Sequence, residues 1–162
     1  MRPATLAKTT TAVVLAAVVG GVASRPGQSD WYEKLRKPSF QPPRQAFPIV
    51  WPLLYADIAA VSAATVDTLD DEGEHAKARA YSILLALNLV LNGGWTWLFF
   101  SRRKLGAAAV AAAALAVSSA DLTRRAVRTK GAGAGVLGLY PLWCAFATLL
   151  SGRIWWLNRP GG

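Results

Sequence analysis

Asn88, Asn92, Trp95 and Phe99 fall at i, i+4, i+7 and i+11. On a helix of 3.6 residues per turn they share a narrow arc, so one face carries two amides and two rings. Phe47, Trp51, Tyr55, Ile58 and Ser62 form a similar stripe, and Tyr140, Trp143 and Ala147 a third. Such side chains supply recognition without covalent steps. Rings stack on a flat apolar ligand, while amides and indole N–H groups bond its carbonyls. A carboxamide in hydrocarbon is costly unless hydrogen-bonded, so the Asn face should look into a bundle or a cavity and not at lipid. The same pattern also serves plain helix-to-helix packing and interfacial aromatic belts, and spacing alone leaves both uses open.

Covalent chemistry is poorly supplied. His75 and Cys144 are the only histidine and cysteine among 162 residues, which excludes a disulfide framework, a Cys/His zinc cluster and a triad with a choice of base. No catalytic residue and no metal site is expected, and haem iron would find only these two ordinary ligands. Asp57 is a different case. A carboxylate inside an apolar stretch is a candidate proton carrier or ion partner. It lies about 120° around the helix from Trp51, which favours a protonated or hydrogen-bonded packing role against a neighbouring helix over a place in the pocket. Cys144 reads as a small buried apolar residue.

The elements that must position these side chains are set by where charge is missing. Apolar residues make up 53% of the chain and charged residues 17%. Residues 9–24, 81–100, 105–120 and 131–152 contain no Asp, Glu, Lys or Arg, and residues 47–66 contain Asp57 alone. The ~30 Å hydrocarbon layer takes roughly 20 apolar residues as a helix, and continuous rather than alternating apolarity favours helices over barrel strands. The expected fold is therefore all-α: one integral membrane bundle over residues 1–162, with five transmembrane helices at about 6–24, 47–66, 80–100, 105–122 and 132–157. A chain this small cannot wrap five such helices in polar surface. Arg2 and Lys8 ahead of AVVLAAVVGGVA also fit a cleavable signal peptide, which would leave four helices. Basic residues divide almost evenly between the two sides, so charge does not set the orientation.

The loops differ in kind. DTLDDEGEHAKAR at 67–79 reads as solvated surface, His75 included, and GAGAG at 131–135 either loosens the start of the fifth helix or lets backbones pack closely there. Residues 25–46 combine Trp31, Tyr32 and Phe40 with Pro38, Pro42 and Pro43, which hold their neighbours extended. This is the composition of a shaped lid whose Lys34, Arg36, Lys37 and Arg44 can meet carboxylates. The net charge of +9 is scattered over short loops on both sides. That suits anchoring to lipid headgroups and gives no single face for nucleic acid.

WYEKLRKPSFQPP at 31–43, FPIVWPLLY at 47–55, LNLVLNGGWTWLFF at 87–100 and YPLWCAFATLLSGRIWWLN at 140–158 resemble the signature blocks of the TspO/MBR family, the tryptophan-rich sensory and translocator proteins. The match covers nearly the whole chain. The resemblance implies a five-helix bundle of a bacterial cell membrane, commonly a homodimer, that keeps its first segment as a helix. It implies porphyrins such as protoporphyrin IX, haem or sterol-like molecules as ligands, with no obligatory cofactor. By the same resemblance Trp51 and Asn92 make the polar contacts with the ligand, and Tyr32, Pro42, Phe47, Tyr55, Trp95, Phe99, Trp143 and Ala147 form the wall. Asn88 joins them on its shared helix face, and Trp31 joins the lid. Gln45, Tyr140-Pro141 and Ser151 depart from the family pattern, and the carboxyl end lacks the sterol motif. The expected function is a membrane receptor or carrier of tetrapyrroles with a regulatory or transport role in porphyrin metabolism. Light-dependent porphyrin breakdown at the tryptophan cluster and proton-coupled export through Asp57 are the alternatives. Self-association is expected through small-residue faces such as Ala17 with Gly21 or the run 107–114.

Overall fold

The computed structural model describes residues 1–25 and 29–161. Pro3–Ala23 forms α1, opened by a proline whose missing N–H costs nothing at a helix start. The short α2, Asp30–Lys34, lies in the lid, with Asp30 and Glu33 in its first turn and Lys34 in its last, as the helix dipole favours. A 3₁₀ turn at Arg44–Ala46 leads into α3, Phe47–Asp71. Then come α4, His75–Thr96, continued by a wide turn at Trp97–Ser101, and α5, Leu105–Lys130. A 3₁₀ stretch, Ala132–Gly138, precedes α6, Leu139–Asn158. Five helical segments are long and apolar enough to cross a membrane, and no strand occurs among the described residues.

The helices outrun the uncharged stretches. At 1.5 Å per residue the 26 residues of α5 reach about 39 Å, beyond the hydrocarbon layer, and its far end carries Asp121 paired with Arg124 and Arg125 at i+3 and i+4. Likewise α3 continues to Asp71 and α4 begins at His75, so the expected 67–79 loop shrinks to residues 72–74. Charge marks where the hydrocarbon ends, not where the backbone stops bonding to itself. Gly73, at φ +77°, makes the tight reversal possible, and Glu74 N–H donates to the Leu69 carbonyl at 2.8 Å.

The lid combines two kinds of backbone. Its prolines hold residues 35–43 out of helix, as expected, and the WYEK stretch ahead of them coils into α2. Residues 26–28 of the lid, and residue 162, lie outside the described residues.

The helices form a ring. α1 lies against α3 and α4, α4 against α5, and α5 broadly against α6, while α3 and α6 close the ring along a thin seam. Small residues seal the broad contacts: Ala108 and Ala112 are buried in α5, and Ala16 and Gly20 in α1. α1 packs as a full member of the bundle, with Thr9 Oγ1 donating to the Ala59 carbonyl at 3.0 Å. Its start is tied down where the Arg2 backbone N–H donates to Asp67. Val14, Leu15, Val18, Val110, Val117 and Leu149 point outward, as an apolar solvent requires.

Candidate ligand site

Trp51 and Tyr55, one turn apart on α3, stack with centroids 5.4 Å apart. Trp51 meets Trp95 of α4 at 6.2 Å and the edge of Trp143 of α6 at 6.3 Å. Phe47 adds an edge contact to Trp143 at 5.8 Å, and Trp95 continues to Phe99 at 6.3 Å. All lie within the 4.5–7 Å range of favourable ring pairs. The three sequence stripes therefore meet in one cluster at the lid end of the bundle. The lid lands on both flanks of it: Tyr32 against Phe99 and Phe100, at 6.4 and 5.6 Å, and Phe40 against Phe146 at 6.3 Å.

Beneath the rings runs a buried polar chain. Tyr55 Oη donates to Asn92 Oδ1 at 2.9 Å, and Asn92 Nδ2 donates to Tyr140 Oη at 3.2 Å. Tyr140 Oη donates to Asn88 Oδ1 at 2.8 Å, and Asn88 Nδ2 reaches Ser118 and Ser119 Oγ, both at 3.1 Å. The chain links α3, α4, α6 and α5. Asn92 is 1% exposed and Asn88 0%, so each amide finds its partners within the protein, as burial demands. The two do not share a role. Asn92 adjoins the rings through Tyr55, whereas Asn88 is bonded on the far side of Tyr140 to α5.

A model of the TspO/MBR family matches residues 9–157. The chain belongs to that family. It is 30% identical over 128 residues to the Tryptophan-rich protein TspO of Bacillus cereus, covering 79% of this chain and 80% of that protein. It is 33% identical over 135 residues to the Tryptophan-rich sensory protein of Cereibacter sphaeroides, covering 81% and 80%. It is also 34% identical over 132 residues to the Translocator protein of Ovis aries, covering 80% and 75%. It is a multi-pass integral membrane protein.

In this TspO/MBR chain the lid cations divide into two sets. Lys37 Nζ lies 4.4 Å above the Tyr32 ring and the Arg44 guanidinium 5.9 Å, and Arg44 also pairs with Glu33 at 3.2 Å. Burial, then the Arg44 charge, pushes the Lys37 ammonium below the usual lysine range, with Glu33 opposing. Burial raises the Tyr32 phenol, against the lowering effect of its bond from Gln41 Nε2 (3.0 Å) and of Arg44. Lys34 and Arg36 expose their side chains to solvent. The Arg36 backbone is clasped by Asn158, whose Oδ1 accepts its N–H and whose Nδ2 donates to its carbonyl, both at 2.9 Å. Trp31 lies half-buried under Arg103 at 5.0 Å. Pro42 is half-buried, and Gln45 sits exposed on the turn leading into α3. Ala147 is buried one turn beyond Trp143.

Two residues carry more than sequence reasoning gives them. Tyr140 is the hub of the polar chain; its place in the stripe with Trp143 was the available signal. Ser151, a departure from the family pattern, accepts the Trp95 indole N–H at 3.3 Å. Asp57 is half-buried; its Oδ2 is buried and has no hydrogen-bond partner among the described residues, so the hydrogen-bonded form of the expected packing role is not seen. Its neighbours on that helix face, Ala60, Val61 and Ala64, offer no donor side chain. Among the described residues no three His, Cys, Asp or Glu side chains gather to hold a metal ion.

A groove of about 400 Å³ opens along the α3–α6 seam. Val50, Leu53 and Leu54 line one side, and Leu139, Leu142, Trp143 and Phe146 the other. It faces outward and shares Trp143 with the ring cluster.

Proposed function

We propose that this membrane protein is a receptor or carrier for tetrapyrroles, held at the ring cluster beneath the basic lid. Family membership supports a sensory or transport role in a membrane; the ligand class rests on the site. The observation that carries it is Trp51, in contact with rings from α4 and α6 and with Tyr55 on its own helix. A flat macrocycle with an apolar core and carboxylate edges fits such a place. Its faces stack on indoles, and its carboxylates reach Lys34 and Arg36, which are exposed at the lid surface. A ligand carbonyl can take the Asn92 N–H that now goes to Tyr140. Stacking suffices, so no residue has to ligate iron. The rings now touch one another, and binding therefore requires them to part.

The test is a protoporphyrin IX titration followed by tryptophan quenching in detergent. Removing both indoles in a Trp51→Ala/Trp143→Ala variant should weaken binding at least about tenfold, near the 1.4 kcal/mol that two lost ring contacts supply. Unchanged affinity refutes the site.

One observation favours a second reading. Asp57, midway along α3, has one buried carboxylate oxygen with no hydrogen-bond partner among the described residues, which suits a proton-coupled exporter. Asp57→Asn should then abolish proton-dependent flux in vesicles while sparing protoporphyrin affinity; unchanged flux removes the idea.

A further inference from the structure

We propose that the α3–α6 seam is a lateral portal through which a flat apolar ligand passes between the bilayer and the ring cluster, with the Trp143 indole as its movable plug. The inference rests on the reading of the cluster as a ligand site.

Around most of the ring, small residues bring helices together closely. A Cβ built on Gly93 of α4 would lie 3.5 Å from Val19 of α1, and one on Gly106 of α5 would lie 3.1 Å from the Trp155 indole of α6. The α3–α6 seam has few close backbone approaches and is bridged by long side chains. Its groove is lined by aliphatic and aromatic side chains alone, so it suits a hydrocarbon or a ring face and offers nothing to a polar peptide. Leu53 and Leu142, at 67% and 68% exposure, flank its outer edge.

The inner end of the groove is Trp143. This half-buried side chain contacts Phe47, Trp51 and Phe146, and among the described residues no hydrogen bond holds its indole N–H. Trp95, by contrast, is tethered to Ser151. A rotamer change at Trp143 alone would join the groove to Trp51 without breaking a polar contact. The route through the lid is more firmly shut. Opening it breaks both Asn158 bonds to Arg36, the Gln41–Tyr32 bond and the Glu33–Arg44 pair, and lifts Tyr32 and Phe40 off their partner rings.

The test is stopped-flow mixing of protoporphyrin IX with the protein in phosphatidylcholine nanodiscs, read by porphyrin absorbance. Leu142→Trp and Leu53→Trp fill the groove mouth from opposite helices, so a folding failure of one leaves the other. Each should slow association and dissociation together by about tenfold and leave Kd unchanged, because a barrier crossed in both directions cancels from the equilibrium. Unchanged rates in both variants, with acceleration by Asn158→Ala, would assign passage to the lid and overturn the portal. A change in dissociation alone would make the groove part of the bound site and overturn it equally. Failure of the unsubstituted protein to bind protoporphyrin IX refutes the site reading itself, and that control distinguishes the two failures.

Discussion

Removing one oxygen from Tyr140 should separate the structural role of the polar chain from its role in binding. The hydroxyl donates to Asn88 Oδ1 at 2.8 Å and accepts from Asn92 Nδ2 at 3.2 Å, in a residue 1% exposed. Tyr140→Phe keeps the ring and leaves one acceptor and one donor without partners. A buried unsatisfied group costs about 1–3 kcal/mol in water-soluble proteins. Hydrogen bonds between membrane helices average nearer 0.6, with a maximum of about 1.7, because the unfolded chain in lipid also finds partners. Asn88 keeps its bonds to Ser118 and Ser119 and Asn92 keeps Tyr55, so neither side chain becomes wholly free. The lower scale applies, and the two groups together give a loss of roughly 1–2 kcal/mol, read from denaturant unfolding in mixed micelles. Affinity should move the other way. Asn92 Nδ2 no longer has to leave Tyr140 to meet a carbonyl, so protoporphyrin IX should bind a few-fold more tightly. Unchanged stability would show the chain to be inessential, and weaker binding would show that Asn92 does not trade Tyr140 for ligand.

Asp57→Leu should stabilise the bundle by about 1 kcal/mol or more by removing a buried oxygen with no partner, with protoporphyrin affinity unaltered; micellar unfolding measures the first and titration the second. Ser151→Ala should free the Trp95 indole at a cost of about 1 kcal/mol, whereas Ser151→Asn, which keeps an acceptor, should recover most of the loss in the same assay. The lid should respond to alkali in two senses. The Lys37 pKa is lowered by burial, so the penalty of its charge is relieved as pH climbs through that lowered value toward the ~10.4 of a free lysine. The Tyr32 pKa is raised, so its contribution holds below the ~10 of a free phenol and is lost as pH rises through the folded value. Limited proteolysis of the lid should therefore accelerate at the most alkaline pH, and Tyr32→Phe should abolish that acceleration.

The bundle was legible because a helix in hydrocarbon must be apolar along its length, so four uncharged stretches and a fifth broken only by Asp57 announced five spans. Their ends were not, because Asp71, His75 and Lys130 belong to helices that run on past the hydrocarbon. Helical periodicity placed Trp51, Trp95 and Trp143 on faces that could converge, and they do. It could not tell Asn88 from Asn92: residues one turn apart on one face differ only in what the neighbouring helices present, here Ser119 for one and Tyr55 for the other. Nor could composition show that α2 would form ahead of the prolines, that Ser151 would hold an indole, or that Asp57 would find no donor. Each depends on a partner distant in the sequence.

The most direct measurement is the position of a bound tetrapyrrole, located by the anomalous signal of zinc protoporphyrin in crystals of the complex. The metal should lie among Trp51, Trp95 and Trp143 beneath Tyr32, with those indoles spread apart from their present 6.2 and 6.3 Å contacts. A macrocycle bound on an outer face of the bundle, with these three rings still in contact, would contradict the central claim.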